Sequence, residues 1–274
     1  MHVPRKRFGQ NFLTDRQVIH NIVFAINPQQ DDLMVEIGPG LGALTKPLLD
    51  KLKHLHVVEI DRDIVARLTH EYAPERLTIH SADALNFDFG ALGEGLRVVG
   101  NLPYNISTPL LFHLSTFAGH IVDLHFMLQK EVVERMVAAP STSDYGRLSV
   151  MLQYRFAMEN LFTVPGSAFY PAPKVESAVV RMIPIAAEAR AARDEALLAM
   201  VVSAAFAQRR KTLRNTLAGH LAPADFSRLG IDPSRRAETL AVADFVQIAN
   251  YLAAATTHCH SATGNSDVQA AHAG

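Results

Sequence analysis

Between Leu33 and Gln129 the chain repeats one unit: an apolar run of strand length, then a segment with helical periodicity. The runs are LMVEI (33–37), HLHVVEI (54–60), RLTIH (76–80), LRVVG (96–100) and DLHFMLQ (123–129), and helical patterns fall near 41–52, 62–71 and 108–117. A strand that returns to the same sheet through a helix lies parallel to its neighbour, with the helix on one face. The expected fold is therefore α/β, with a mostly parallel, doubly wound sheet. Such sheets receive ligands at the carboxyl ends of their strands. Upstream, DRQVIHNIVFAI (15–26) spaces Val18, Ile22, Val23 and Ile26 for an amphipathic helix that Pro28 stops.

The rhythm changes after residue 146. GRLSVMLQYRF reads as helix, and LFTVPGSAFYPAPKVESAVVRMI contains two β-rich runs around a loop with Pro165, Pro171 and Pro173. Two strands joined without a helix predict an antiparallel hairpin completing the sheet. From Pro184 the pattern is helical, with alanine-rich helices near 187–207, 208–218 and 242–254. The expected organisation is a first domain over 1–184, a small all-α domain over 185–254, and a disordered tail over 255–274, which lacks periodicity. The tail holds His258, Cys259 and His260, but without a fourth ligand or a zinc-type spacing no metal site is expected. One cysteine, no signal-peptide pattern and no apolar run of membrane-spanning length lead us to expect a cytoplasmic protein with no membrane partner.

Glu36-Ile37-Gly38-Pro39-Gly40-Leu41-Gly42-Ala43 leaves the first strand for a helix. Glycines there let the backbone turn sharply and approach a ligand closely. The spacing also satisfies G-x-G-x-x-A, so the loop alone is compatible with a dinucleotide-binding dehydrogenase. Glu59, 21 residues beyond Gly38, suits the ribose hydroxyls of many nucleoside cofactors and does not separate the two. Asp83 follows the third strand at the same edge, where a carboxylate can accept a bond from an adenine amino group.

Next along that edge comes GNLPYN (100–105), which contains no general acid or base. The exocyclic amine of adenine is a poor nucleophile because its lone pair is delocalised into the ring. Accepting hydrogen bonds from both amino hydrogens draws the nitrogen towards tetrahedral geometry. The Asn101 side-chain oxygen and the Leu102 carbonyl have the required character, Pro103 stiffens the turn, and Tyr104 offers a face on which a flipped base stacks.

NLPY resembles the catalytic motif of S-adenosylmethionine-dependent N6-adenine methyltransferases in its RNA-modifying form. With RKRFGQNFL (5–13), VEIGPGLGALT (35–45), GNLPYNISTPLLFHL (100–114), MLQKEVVERM (127–136), YGRLSV (145–150), FYPAPKVESAVVR (169–181) and FAQRRKTLRNTL (206–217), residues 5–252 resemble the bacterial small-subunit ribosomal RNA adenine dimethyltransferases of the kasugamycin-resistance type. The resemblance implies a Rossmann-like class I methyltransferase domain. It implies S-adenosylmethionine against Asn11, Leu13, the Gly38 loop, Glu59, Asp83 and Asn101. The target adenine would lie against Asn101, Leu102 and Tyr104, with Phe169 on its other face. The implied substrate is a pair of adjacent adenosines near the 3′ end of 16S rRNA in an assembling small subunit, and we expect a monomer.

The charge distribution fits a polyanionic partner. Residues 1–16 hold four basic side chains against one acidic, and residues 201–236 hold seven against two, in a chain whose net charge is -1. Arg5, Lys6 and Arg7 in an N-terminal arm, and Arg209, Arg210, Lys211 and Arg214 on a basic helix, are the expected RNA contacts. Two other functions fit the same residues: methylation of a large-subunit RNA adenine, and a subunit-assembly factor that methylates only secondarily.

Overall fold

The computed structural model describes the backbone of residues 11–263 and the side chains of residues 11–255. Arg5, Lys6 and Arg7 lie outside the described residues. The chain forms two compact units. One comprises the residues up to Val137 together with Arg155–Ala187, the other Ala138–Tyr154 and the residues from Glu188 onward.

The first unit begins with β1 (Phe12–Leu13) and α1 (Arg16–Ile26), followed by β2 (Met34–Ile37), α2 (Thr45–Leu49), β3 (Leu55–Glu59), α3 (Arg62–Glu71) and β4 (Leu77–Ser81). It continues with β5 (Leu96–Asn101), α4 (Ser107–Ser115), β6 (Ile121–Gln129) and α5 (Lys130–Val137). The chain then supplies α6 (Arg147–Gln153) to the second unit and returns as β7 (Phe156–Val164), β8 (Phe169–Tyr170) and β9 (Ser177–Pro184). Seven strands form one sheet in the order β4-β3-β2-β5-β6-β9-β7, and β1 pairs with β8 in a separate two-stranded ribbon. The first five strands of the sheet are parallel, and β9 runs antiparallel to both β6 and β7. The expected hairpin is thus β7 and β9. Strand order reverses between β2 and β5, the point at which an open sheet leaves a crevice at its carboxyl edge.

The inner strands are apolar without alternation because helices cover both faces. Met34, Val35, Val98 and Val99 have no exposed surface, and each such side chain contributes about 1.5–3 kcal/mol on burial. Helix α1 starts where Asp15 accepts hydrogen bonds from the Gln17 and Val18 N–H groups at 2.8 and 3.0 Å. It ends at Asn27, whose left-handed conformation (φ 48°) lets its N–H reach the Val23 carbonyl. Pro28 therefore follows a helix already closed by its neighbour. Helix α2 is much shorter than the expected 41–52, since the preceding residues are consumed by turns in which Gly38, Gly40 and Gly42 have φ of 65°, 54° and 83°.

The second unit packs α6 against α7 (Glu195–Ala205), with α8 (Leu213–Thr216), α9 (Pro223–Leu229) and α10 (Val242–Thr263) completing it. Ala138–Tyr154 belongs here rather than to a domain spanning 1–184, because Val150 and Tyr154 share one apolar cluster with Leu198, Val202, Phe226 and Phe245. Helix α7 begins later than the expected residue 187, at the point where Asp194 accepts from the Leu197 N–H at 2.9 Å. Within 208–218 only Leu213–Thr216 is helical, so Arg209, Arg210 and Lys211 occupy an exposed turn rather than a helix face. Helix α9 was not anticipated. The backbone of α10 continues to Thr263, so the tail expected from residue 255 starts as helix, and the side chains of His258, Cys259 and His260 lie outside the described residues. Among the described residues no helix is long and apolar enough to cross a membrane.

Candidate active site

A cavity opens at the carboxyl edge of the parallel strands, beside the reversal of strand order. Asn11, Leu13, Gly38, Glu59, Asp83, Asn101, Leu102 and Tyr104 all line it. Residues more than 90 positions apart in sequence therefore share one surface. Phe169 is not part of that lining. It is 5% exposed and packs in the same apolar cluster as Leu13, its partner in the β1–β8 ribbon.

The loop after β2 forms the floor. Gly38 donates its N–H to the Val58 carbonyl on β3 at 3.0 Å, and a side chain at Gly40 would approach the Phe12 ring to 3.3 Å. Phe12 therefore packs closely on the loop, and a side chain at Gly40 would have to push its ring aside by a few tenths of an ångström. Gly100, the penultimate residue of β5, is more tightly constrained, because a Cβ there would stand 2.6 Å from the Ile37 carbonyl oxygen. The close approach of β2 and β5 at the switch point depends on it.

Two buried carboxyls face this edge. Glu59 is 6% exposed and accepts from the Asp61 N–H at 2.8 Å. Burial raises its pKa, against the opposing pull of the Asp61, Ile60 and Gly40 backbone N–H groups. Glu36, on β2, is 2% exposed and accepts from the Thr45 hydroxyl at 2.6 Å. Burial pushes its pKa up to about 7; the Thr45 bond opposes the shift and the nearby Glu59 adds to it. Glu36 was not singled out in the sequence, although a carboxylate inside an otherwise apolar run, LMVEI, is a usable signal. Asp83 closes its own turn, accepting from the Leu85 N–H at 3.0 Å and from the Asn86 amide at 3.2 Å.

The Asn101 side chain is oriented by a partner that fixes which end is which. Its amide nitrogen donates to the Asn11 carbonyl at 3.2 Å. A carbonyl only accepts, so the NH2 group must face Asn11 and the Oδ1 atom must point elsewhere. Among the described residues Oδ1 has no hydrogen-bond partner. Leu102 is 1% exposed and spends its N–H on the Met127 carbonyl of β6 at 3.1 Å, whereas its own carbonyl bonds to no described residue. Two consecutive residues at the strand end thus carry acceptors with no partner among the described residues. The Tyr104 carbonyl accepts from Ser107 Oγ at 3.1 Å, and the Tyr104 hydroxyl lies 2.7 Å from Ser177 Oγ.

In the second unit Arg209, Arg210, Lys211 and Arg214 are all exposed. Arg209 donates to the Ser143 carbonyl at 2.8 Å and approaches Glu238 at 3.8 Å, whereas Arg210 and Lys211 pair with no described acidic residue.

A sheet of this order with one reversed strand, and a glycine-floored cavity at its switch point, define a Rossmann-like class I methyltransferase. Two solved structures share the architecture. A dimethyladenosine transferase from Plasmodium falciparum superposes with a TM-score of 0.75 at 25% identity, over 86% of this chain and 95% of its own. The 23S rRNA methyltransferase ErmE superposes with a TM-score of 0.67 at 24% identity, over 89% and 100%, which speaks to fold alone. The family model for ribosomal RNA adenine dimethylase matches residues 1–254, and the chain belongs to that family. It is accordingly an enzyme, an rRNA adenine methyltransferase. Proteins named ribosomal RNA small subunit methyltransferase A from Thiobacillus denitrificans and Chromobacterium violaceum are 67% and 66% identical to it. The first match covers 92% of this chain and 99% of the relative, the second 92% and 96%.

Proposed function

We propose that the protein dimethylates N6 of two adjacent adenosines near the 3′ end of 16S rRNA in the assembling small subunit, acting as a cytoplasmic monomer. The names of its close relatives support a small-subunit target over a large-subunit one. The observation that supports the chemistry is that Asn101 Oδ1 and the Leu102 carbonyl, on two residues lining the cavity, have no partner among the described residues.

The cavity fits S-adenosylmethionine by its donor and acceptor set. Glu59 is placed for the ribose hydroxyls, Asp83 for the adenine amine, and the Gly38 loop lets the backbone come close without side-chain interference. Asn11, Leu13 and Asn101 complete the binding surface. Bound there, the cofactor supplies a methyl group on a positively charged sulfur with a neutral leaving group, so neither metal nor general acid is needed.

The protein's own part is orientation. Asn101 Oδ1 and the Leu102 carbonyl accept from the two amino hydrogens and aim the nitrogen lone pair. Tyr104 receives one face of the base, and holding reactants in such geometry supplies several kcal/mol of acceleration. Once alkylated, the amine is strongly acidic and gives its proton to water. Phe169 takes the other face of the base, which requires its ring to leave the packing beside Leu13. The second unit, with Arg209, Arg210, Lys211 and Arg214, and the N-terminal Arg5, Lys6 and Arg7, contact RNA phosphates.

The direct test is incubation with labelled cofactor and unmethylated small subunits, followed by mapping of the modified bases. Label on two adjacent small-subunit adenosines is expected. Label on large-subunit RNA, or full subunit maturation by an inactive Glu59→Ala variant, would overturn the target or the primacy of catalysis, respectively.

A further inference from the structure

A phenyl ring stacks on a base as well as a phenol does, so the platform reading leaves the hydroxyl of Tyr104 without a task. The structure gives that hydroxyl one partner, Ser177 Oγ, at 2.7 Å. Ser177 reaches this edge because of the one reversed strand. It is the first residue of β9, and an antiparallel strand delivers its amino end to the edge where the parallel strands finish. Ser177 accordingly lies opposite Gln129, the last residue of β6, and opposite Val164, the last of β7. Its exposed surface is zero.

The turn carrying Tyr104 is held at its backbone by Ser107, whose hydroxyl donates to the Tyr104 carbonyl. That bond leaves the ring free to rotate about its two side-chain torsions. The bond at the far end of the ring removes the first of these freedoms: the hydroxyl oxygen lies on the axis of the second torsion, so holding it with a buried strand residue fixes where the ring lies beside the cavity. Burial raises the pKa of the phenol, with the Ser177 bond opposing, so the group stays neutral over the working range.

We propose that Ser177 is a positioning residue for methyl transfer: its hydroxyl, bonded to the Tyr104 phenol, fixes the position of the ring that receives the target base. The inference rests on the reading of Tyr104 as the base platform. It also explains the tyrosine at position 104, and it gives β9 a task beyond closing the sheet.

The test is a cycle of Tyr104→Phe, Ser177→Ala and the double variant, with Tyr104→Ala alongside, assayed for kcat, KM for small subunits, cofactor affinity and Tm. Loss of one neutral hydrogen bond predicts that each single variant lowers kcat about threefold to tenfold. Cofactor affinity should stay unchanged, and the double variant should be no slower than the slower single one. Tyr104→Phe removes no packing carbon, so it stays informative even if Ser177→Ala folds poorly. A Tyr104→Phe enzyme with wild-type kcat, or single effects that multiply in the double variant, would overturn the role of Ser177. If Tyr104→Ala is also silent, the platform reading itself fails.

Discussion

The two ends of the parallel sheet are built on opposite principles. At the amino edge Arg97 forks onto Asp123 with bonds of 2.9 and 2.7 Å, meets Asp32 at 2.6 Å, and donates to the Ile26 carbonyl at 2.6 Å, at the end of α1. One cation satisfies two carboxylates and a helix terminus. At the carboxyl edge, a few residues further along the same strands, Glu36 and Glu59 are buried with raised pKa values, and Asn101 Oδ1 and the Leu102 carbonyl have no described partner. Unmet polar capacity costs free energy wherever it is buried. The charges around Arg97 are therefore paired within the fold, whereas the carboxyl edge leaves Asn101 Oδ1 and the Leu102 carbonyl for a ligand to meet.

Removing the Arg97 network should have the largest effect. Arg97→Ala strands Asp32 and Asp123, whose side chains are only 21% and 15% exposed, and breaking such a pair from one side costs about 3–5 kcal/mol. Urea denaturation should show that loss, while kcat per folded molecule stays near wild type. A collapse of kcat with stability intact would erase the distinction between the edges.

The converse variant is Asn101→Ala, which should leave Tm nearly unchanged and lower kcat about a hundredfold to a thousandfold, as the loss of a preorganised polar group does elsewhere. Single-turnover mass spectrometry on unmodified and monomethylated RNA separates the two transfers. A monomethylated amine has only one hydrogen left, so the two-acceptor arrangement cannot be repeated, yet both transfers should slow. An unchanged first transfer would remove Asn101 from its role.

The distinction also bears on what a sequence reveals. Strands β2, β3, β5 and β6 were legible because a strand buried on both faces is largely apolar, edge strand β4 because it repeats the strand-helix rhythm, and the glycine loop because few sequences need three such residues in five. The β1–β8 ribbon was not legible: its partners, Phe12 with Tyr170 and Leu13 with Phe169, are two-residue strands without periodicity. For α6 the pattern showed that one face is buried but not against what, and Val150 packs in the cluster of the second unit. Helix α9 did carry signals, Pro223 at its start and Gly230 in a left-handed cap at its end. In the site, the cavity-lining Gly38, Glu59, Asp83 and Asn101 were picked out by type and position at strand ends, whereas Asn11 and Leu13 came only from the family resemblance. The burial of Phe169 was not legible, because it depends on the long-range pairing with Leu13.

Acid should probe the amino side. His125 on β6 is 3% exposed and lies 3.9 Å from Asp123. Burial lowers its pKa to about 4; Asp123 opposes the shift, and Arg97 and Arg181 add to it. The unfolded chain takes up this proton near pH 6.5 and the folded chain only near 4. Stability linked to His125 is thus full above 6.5 and falls by about 3 kcal/mol as pH drops to 4. The difference between wild type and His125→Leu, followed by denaturation across that range, should change by this amount. A constant difference would mean that His125 is not held neutral.

The carboxyl edge should respond in the other direction, and less. Glu36 keeps its proton to about pH 7 in the folded chain but loses it near 4.5 when unfolded. Its contribution is full below 4.5 and declines as pH rises through 7, by about 2 kcal/mol between pH 5 and pH 7. Glu36→Gln preserves an acceptor for the Thr45 hydroxyl and cannot ionise, so its stability advantage over wild type should grow by that amount over the same interval. A cationic ligand reverses the preference: positive charge brought into the cavity favours the ionised carboxylate. Wild-type affinity for S-adenosylmethionine should therefore strengthen as pH rises towards 7 and level off above it, and Glu36→Gln should flatten that curve. Titration calorimetry on both proteins measures it. Equal slopes would show that Glu36 shapes the strand without sensing the ligand, and would move the electrostatic task of this edge to Glu59 alone.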